Sequence, residues 1–172
     1  MDTTRASYFA VSHLLPYLLG SWRLARYVTS VGGTAIATAS GIATWRISSF
    51  PEWASSISSS SVRFVEYEEG GEVVAAVAGG EIVSPFTQGY TYRIGSEGHR
   101  ADVYFRDGRF FHTVDLSFGR CSIEHACAPD KYAGEILALS PTTMRLIWRV
   151  SGPHKDHIIT TELTKAHNDT SN

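Results

Sequence analysis

The segment FRDGRFFHTVDLSFGRCSIEHAC, residues 105–127, decides the fold because apolar and polar residues alternate along it and two short glycine turns interrupt it. Such alternation is typical of β-strands with one buried face. If Asp107-Gly108 and Phe118-Gly119 form two-residue turns, His112 lies directly opposite His125 on the next strand. The residues that share the face of these two histidines are mainly apolar. Both imidazoles are therefore predicted to point inward, with Cβ atoms about 5 Å apart.

The same alternation covers most of the chain that follows residue 20. Turn signals such as the Gly70-Gly71 pair, which would place Tyr67 opposite Val74, separate the runs. Only Tyr8–Leu19 has a helical period. About ten short strands joined by tight turns predict an all-β fold, a closed antiparallel up-and-down barrel with a short N-terminal helix.

Length and composition limit what such a barrel could do. The 172 residues, 43% hydrophobic and 19% charged, are predicted to form one domain over residues 1–172, with a core at about 8–166 and a disordered tail at 167–172. A net charge of -2 without a dense Lys/Arg cluster argues against nucleic acid and against an anionic membrane surface as partners. An oligomer is compatible with the sequence.

The early apolar stretch at Tyr8–Gly20 is short and is interrupted by polar residues and a proline. It therefore resembles neither a signal peptide nor a membrane span, and we expect a cytoplasmic protein. In that compartment Cys121 and Cys127 should be reduced. On one extended strand their Cα atoms would lie about 20 Å apart, too far for a disulfide.

Two inward imidazoles indicate acid and base chemistry. Burial and like-charge repulsion disfavour a proton on both rings, so one neutral and one protonated ring would form an acid and base pair. We predict His112 and His125 as catalytic residues on this basis. The alternatives are two core histidines satisfied by neighbours, and a metal or haem site that includes Cys127. No compact metal-binding motif is present, so the prediction is no metal and no cofactor.

Strand phase also predicts which side chains line an interior cavity. Trp148 shares its face with Met144 and Leu146, and Lys155 lies at a strand joint near one rim. The predicted ligand-binding residues are Tyr67, Gln88, Tyr90, Tyr92, Val103, Phe105, Phe110, Cys127, Trp148 and Lys155.

Several motifs resemble known families. LLPYLLGSWRLAR, residues 14–26, looks like the entry to a calycin barrel of the lipocalin and fatty-acid-binding class, in which a short helix closes one end and a Gly-x-Trp begins the first strand. GSWRLAR, FRDGRFFHTVDL, HACAPDKYAG and WRVSGPHKD together resemble domain of unknown function 6314 from Leu19 to about Lys165. The resemblance implies a calycin-like barrel and carries no activity with it.

These observations predict a barrel that binds a small, largely apolar or aromatic organic molecule. We expect a cofactor-free isomerase, cyclase or lyase that uses the histidine pair, in a setting such as secondary metabolism. The alternative is a non-catalytic, lipocalin-like carrier of a hydrophobic ligand. A barrel packed solid with side chains would instead indicate a structural or interaction protein.

Overall fold

The computed structural model of the protein describes residues 8–55 and 61–166, apart from the side chains of residues 126 and 127. The predicted disordered tail at 167–172 lies outside the described residues. These residues form one short α-helix, the one-turn 3-10 helix Glu52–Ala54 and ten strands. The elements are α1 (Leu14–Leu18), β1 (Gly20–Ser30), β2 (Ala35–Ser48), β3 (Arg63–Val77), β4 (Gly80–Ile94), β5 (Arg100–Phe105), β6 (Phe110–Asp115), β7 (Arg120–Cys127), β8 (Asp130–Ser140), β9 (Thr143–Gly152) and β10 (Lys155–Lys165).

The ten strands form one antiparallel sheet in the order β6-β5-β4-β3-β2-β1-β10-β9-β8-β7. Consecutive strands pair with each other except β6 and β7, and the first strand pairs with the last, so the sheet curls into a nearly closed up-and-down barrel. The predicted fold class is confirmed. Among the described residues, no helix is long and apolar enough to cross a membrane.

The two ends of the sheet, β6 and β7, meet without a backbone ladder in the described part of the chain. The Cys121 thiol bridges this seam: its Sγ atom lies 3.5 Å from the Asp115 amide and 3.6 Å from the Thr113 carbonyl oxygen. Because no ladder forms, the predicted register that set His112 directly opposite His125 is wrong. Side chains rather than backbone hydrogen bonds join these strands.

One end of the barrel is closed by α1 and the residues that precede it. The Leu14 amide donates to the Gly98 carbonyl at 2.6 Å, and the Val11 amide donates to the Leu116 carbonyl at 2.9 Å. Trp22 is fully buried beneath the helix, where its indole N–H donates to the Leu18 carbonyl at 2.8 Å. Leu14 and Leu116 are also fully buried at this end, while the opposite end is bounded by strand turns.

Gly70 and Gly71 do not form a turn, so the predicted pairing of Tyr67 with Val74 is wrong. Strand β3 runs through both glycines, and Gly71 pairs with Gly41 of β2. A Cβ atom on Gly71 would lie 2.0 Å from the Ser40 carbonyl oxygen. The glycines therefore serve a close approach of two backbones within the sheet.

The β5–β6 hairpin contains a bulge that the prediction lacked. Val103 pairs with His112 as predicted, but Tyr104 then pairs with Phe110, so Phe111 is an extra residue on β6. An extra residue reverses the inward and outward alternation beyond it. Phe110 is consequently 55% exposed on the outside, and its predicted inward position is wrong.

Candidate functional site

A cavity of about 420 Å³ lies inside the barrel, between the closed end and the opposite rim. This size falls within the range of about 300–1,000 Å³ that small-molecule sites occupy. Side chains from eight of the strands, from Leu18 of α1 and from Leu116 after β6 form its wall. The sequence-predicted residues that line it are His112, Tyr67, Gln88, Tyr90, Tyr92 and Trp148.

Four nearly parallel aromatic rings form one wall, and we call Tyr67, Tyr90, Phe111 and Trp148 the aromatic row. Neighbouring rings in this order have centroids 6.0, 5.3 and 5.8 Å apart and interplanar angles of 14°, 17° and 14°. The row runs from β3 through β4 and β6 to β9, so it crosses the seam. Offset parallel rings present flat faces, and a flat conjugated molecule makes the most contact with such a surface.

The position of Trp148 depends on a glycine. Gly134 pairs with Trp148 on the neighbouring strand β8, and a Cβ atom at Gly134 would lie only 2.6 Å from the nearest indole carbon. The indole therefore lies flat against the bare backbone. This arrangement holds the ring parallel to that of Phe111.

His112 lies next to this wall. Its ring centroid is 4.5 Å from that of Phe111 and 5.9 Å from that of Trp148, and the residue is only 7% exposed. No described residue forms a hydrogen bond with its buried Nδ1 atom. The pKa of His112 is lowered to about 4, mainly by burial, with the Thr113 backbone opposing the shift and the nearby His125 adding to it. The imidazole is therefore neutral at neutral pH.

His125 lies behind the cavity wall and does not face the cavity. Its ring packs edge-on against Phe111 at 4.9 Å and against Phe105 at 6.2 Å. Phe111 contacts both imidazoles, and His125 is not among the described residues that line the cavity. The structure thus brings the two histidines near each other while presenting only His112 to a ligand.

Several other predicted ligand-binding residues lie away from the cavity. Val103 is buried in the core, and Phe105 packs behind Phe111 at 4.7 Å. Lys155 lies outside, where its ammonium donates to the Asp130 carboxylate at 2.7 Å. Phe110 is exposed, and the Cys127 side chain lies outside the described residues. Phe111 takes the wall position predicted for Phe110 because of the bulge.

The cavity also holds a polar cluster that the sequence analysis missed, formed by Arg26, Glu69, Tyr67 and Thr161. Arg26 Nη2 lies 2.8 Å and 2.9 Å from the two oxygens of the Glu69 carboxylate, and Arg26 Nε donates to Thr161 Oγ1 at 2.8 Å. The Tyr67 hydroxyl donates to Glu69 Oε2. The available signal was strand phase: Arg26 follows Trp22 and Leu24 at even spacing, and Glu69 follows Tyr67.

The tyrosines of the site are hydrogen-bond donors, not phenolates. Burial and the adjacent Glu69 carboxylate raise the pKa of Tyr67 well above its ordinary value. Burial also raises the pKa of Tyr90 and of Tyr92. A ligand therefore meets neutral phenols and a neutral imidazole in the cavity.

Metal-binding groups are not assembled in the described parts of the chain. No cluster there brings together three or more His, Cys, Asp or Glu side chains in a way that could hold a metal ion. His112 has Phe111 and Trp148 as its ring neighbours, and aromatic rings supply no ligand atoms.

A strand barrel closed at one end by a short helix and hollow at its centre has a calycin-like architecture. The chain itself belongs to the family of unknown function DUF6314, whose model matches residues 18–165. A comparison with curated proteins gave no match.

Among solved structures, the S-type phycobiliprotein lyase CPES from Guillardia theta is similar, with a TM-score of 0.65, 8% identity, and coverage of 92% of this chain and 94% of that chain. A redesigned β-barrel, mFAP0, bound to DFHBI, gives a TM-score of 0.41 and 15% identity over 87% of this chain and 99% of that one. At these identities the first likeness shows a shared fold.

Proposed function

We propose that the protein binds a small, flat, conjugated organic molecule against the aromatic row and moves a proton on it through His112, without a cofactor. The observation that carries this proposal is a buried, neutral imidazole beside four parallel rings in a cavity of ligand size. The flat wall supplies binding energy through apolar contact and ring stacking. Isomerisation, cyclisation and elimination all use such a proton transfer.

A single imidazole can both take up the proton and return it. A ligand C–H or O–H bond breaks, its proton joins a nitrogen of His112, and the electron pair is spread over the conjugated ligand. The imidazolium then returns the proton to a second ligand atom. Because the pKa of His112 lies near 4, the imidazole is a weaker base than usual, so the proton must come from an acidic ligand bond, and the imidazolium returns it readily.

The role first predicted for His125 changes accordingly. His125 packs against Phe111 and lowers the pKa of His112 by charge repulsion, so it acts through its neighbour. It is a positioning residue in this proposal, and His112 is the catalytic residue.

Solvent deuterium exchange tests the proposal without knowledge of the natural substrate. The probe is 2-tetralone, which is small and aromatic and carries acidic C–H bonds between its ring and its carbonyl, so that loss of a proton gives a conjugated enolate. In D₂O the wild-type protein should accelerate deuterium uptake, and His112→Phe should reduce the acceleration by about 10²-fold while ring volume is kept. His99→Phe, at the partly exposed His99, is the matched control and should leave the rate unchanged.

A second function has one observation in its favour. In the part of the chain that the structure describes, His112 supplies the one imidazole that faces the cavity, and a carrier needs apolar walls with one or two orienting polar groups. Binding of 2-tetralone, followed by quenching of the fluorescence of the cavity-lining Trp45 and Trp148, with no accelerated exchange, would establish the carrier and overturn catalysis. If neither binding nor exchange occurs with a set of flat aromatic probes, the ligand class itself is refuted.

A further inference from the structure

The cavity has a polar region at the wall formed by β1, β3 and β10. Glu69 has a side chain only 5% exposed, and that of Arg26 is 23% exposed, yet both line the cavity. Arg26 also lies over the Phe86 ring at 5.5 Å. Together with the Tyr67 hydroxyl and Thr161, this region places several hydrogen-bonding groups within an otherwise apolar cavity.

Hydrogen bonding fixes the guanidinium and leaves part of it available. Nε donates to Thr161 and Nη2 donates to Glu69. No described residue accepts a hydrogen bond from Nη1 of Arg26, which has two N–H donors. The Thr161 hydroxyl, already an acceptor, has its own proton to donate. The cluster therefore offers fixed donors in the cavity.

The charges in the cluster cancel. Arg26 carries one positive charge and Glu69 one negative charge, and no other ion pair is formed by cavity-lining residues of the described chain. A carboxylate on the ligand would have to lie beside the Glu69 carboxylate, and an ammonium would lie beside Arg26. Either ligand would place two like charges side by side in the cavity, which is unfavourable.

Stability alone does not account for this arrangement. A buried ion pair often contributes no more than well-packed apolar residues would, because both charges lose their hydration. The Arg26 and Glu69 side chains also face an open cavity instead of being enclosed by packed protein. A site for a ligand's polar group accounts for both facts.

We infer that Arg26, Glu69, Tyr67 and Thr161 form a charge-neutral binding site for an uncharged hydrogen-bonding group on the ligand, a ketone or ester carbonyl, bound through Arg26. The inference rests on the proposed function for the flat remainder of the molecule. It defines the ligand class as conjugated neutral carbonyl compounds. The carbonyl also acidifies the neighbouring C–H bonds from which His112 would take a proton.

Three naphthalenes of nearly the same shape test this inference. Their affinities are measured by competition with one another or by Trp148 fluorescence. They are 2-acetylnaphthalene, which is a neutral ketone, 2-naphthoate, which is an anion, and 2-naphthylmethylammonium, which is a cation. The wild-type protein should bind the ketone at least about tenfold more tightly than either ion, because each ion meets a like charge. Equal or tighter binding of 2-naphthoate would overturn the inference.

Charge variants make the test specific. Glu69→Gln leaves Arg26 unbalanced, so it should strengthen 2-naphthoate binding by about tenfold or more. Glu66→Gln is the matched control, since Glu66 lies on the same strand but faces outward and makes the same change in net charge. If both variants bind 2-naphthoate equally, Glu69 does not face the ligand and the inference fails.

The outcomes separate the inference from the proposed function on which it rests. If all three naphthalenes bind with equal affinity and quench Trp148, the flat cavity is supported and the neutral site is refuted. If none of them binds, the proposed ligand class is refuted as well. The wild-type preference keeps the inference testable even if Glu69→Gln does not fold.

Discussion

Acid should destabilise the protein through His112, and the His112→Phe variant should lack that response. The pKa of His112 is about 4 in the folded protein, against an ordinary value of 6.5. Above pH 6.5 the imidazole is neutral in both states. As the pH falls from 6.5 to 4, the unfolded chain takes up a proton that the folded chain does not, so unfolding becomes more favourable. At about 1.36 kcal/mol per pKa unit, the loss is about 3 kcal/mol by pH 4.

Urea unfolding of wild type and His112→Phe, measured between about pH 7.5 and pH 4, checks this magnitude. Carboxylates also titrate in this range, but their contribution cancels when the two proteins are compared. His154→Asn, at an exposed turn, is the control and should follow the wild type. If the free energies of unfolding of wild type and His112→Phe fall in parallel with pH, His112 takes up its proton in the folded state as readily as in the unfolded chain. That result would refute the buried, neutral imidazole.

Gly134→Ala should weaken ligand binding and lower stability by about 1–3 kcal/mol, because its Cβ would displace the Trp148 indole by about 1 Å. Thermal unfolding measures the loss of stability, and the Trp148 emission spectrum measures the displacement of the indole. Gly41→Ala should lower the melting temperature far more than Gly70→Ala, since its Cβ would lie 2.1 Å from a backbone oxygen while that of Gly70 meets nothing closer than 3.4 Å; similar melting temperatures would contradict this. Cys121 is a free thiol whose pKa is raised by burial, so it should react with a thiol reagent at least about tenfold more slowly in the folded than in the urea-unfolded protein, as followed by peptide mapping.

The barrel could be predicted from the sequence because strand alternation and turn residues recur along the whole chain. Val103 and His112 pair as the alternation predicts, and the helix near Tyr8–Leu19 forms as α1. The inward phase of Tyr67, Tyr90 and Trp148 is likewise a direct result of period two. These features depend only on local patterns, which the sequence contains.

The errors arose where a single residue changes the phase or where contacts are distant in the chain. The bulge at Phe111 depends on the geometry of the β5–β6 turn. Because Phe110 and Phe111 are both phenylalanines, the sequence does not indicate which of them points inward. Gly70 and Gly71 have the composition of a turn, and only their contact with β2 shows that they lie within a strand. A turn at Gly70-Gly71 would also place Glu69 at the end of a strand, and its Arg26 partner is 43 residues away.

The seam between β6 and β7 determines the order in which the barrel should come apart. Nine strand pairs are each held by a backbone ladder, so separating any of them breaks a row of amide hydrogen bonds, whereas the seam is joined by the Cys121 thiol and ring contacts. At the closed end of the barrel, the Phe9 amide donates to the Ala138 carbonyl and the Val11 amide donates to the Leu116 carbonyl, and these hydrogen bonds stabilise that end of the seam. Amide protons on the facing edges of β6 and β7 should therefore exchange with solvent first, and those of β1, β2 and β10 last. Phe111 lies on one of these edges, so the first opening of the wall would also uncover the side of the ligand that stacks on it.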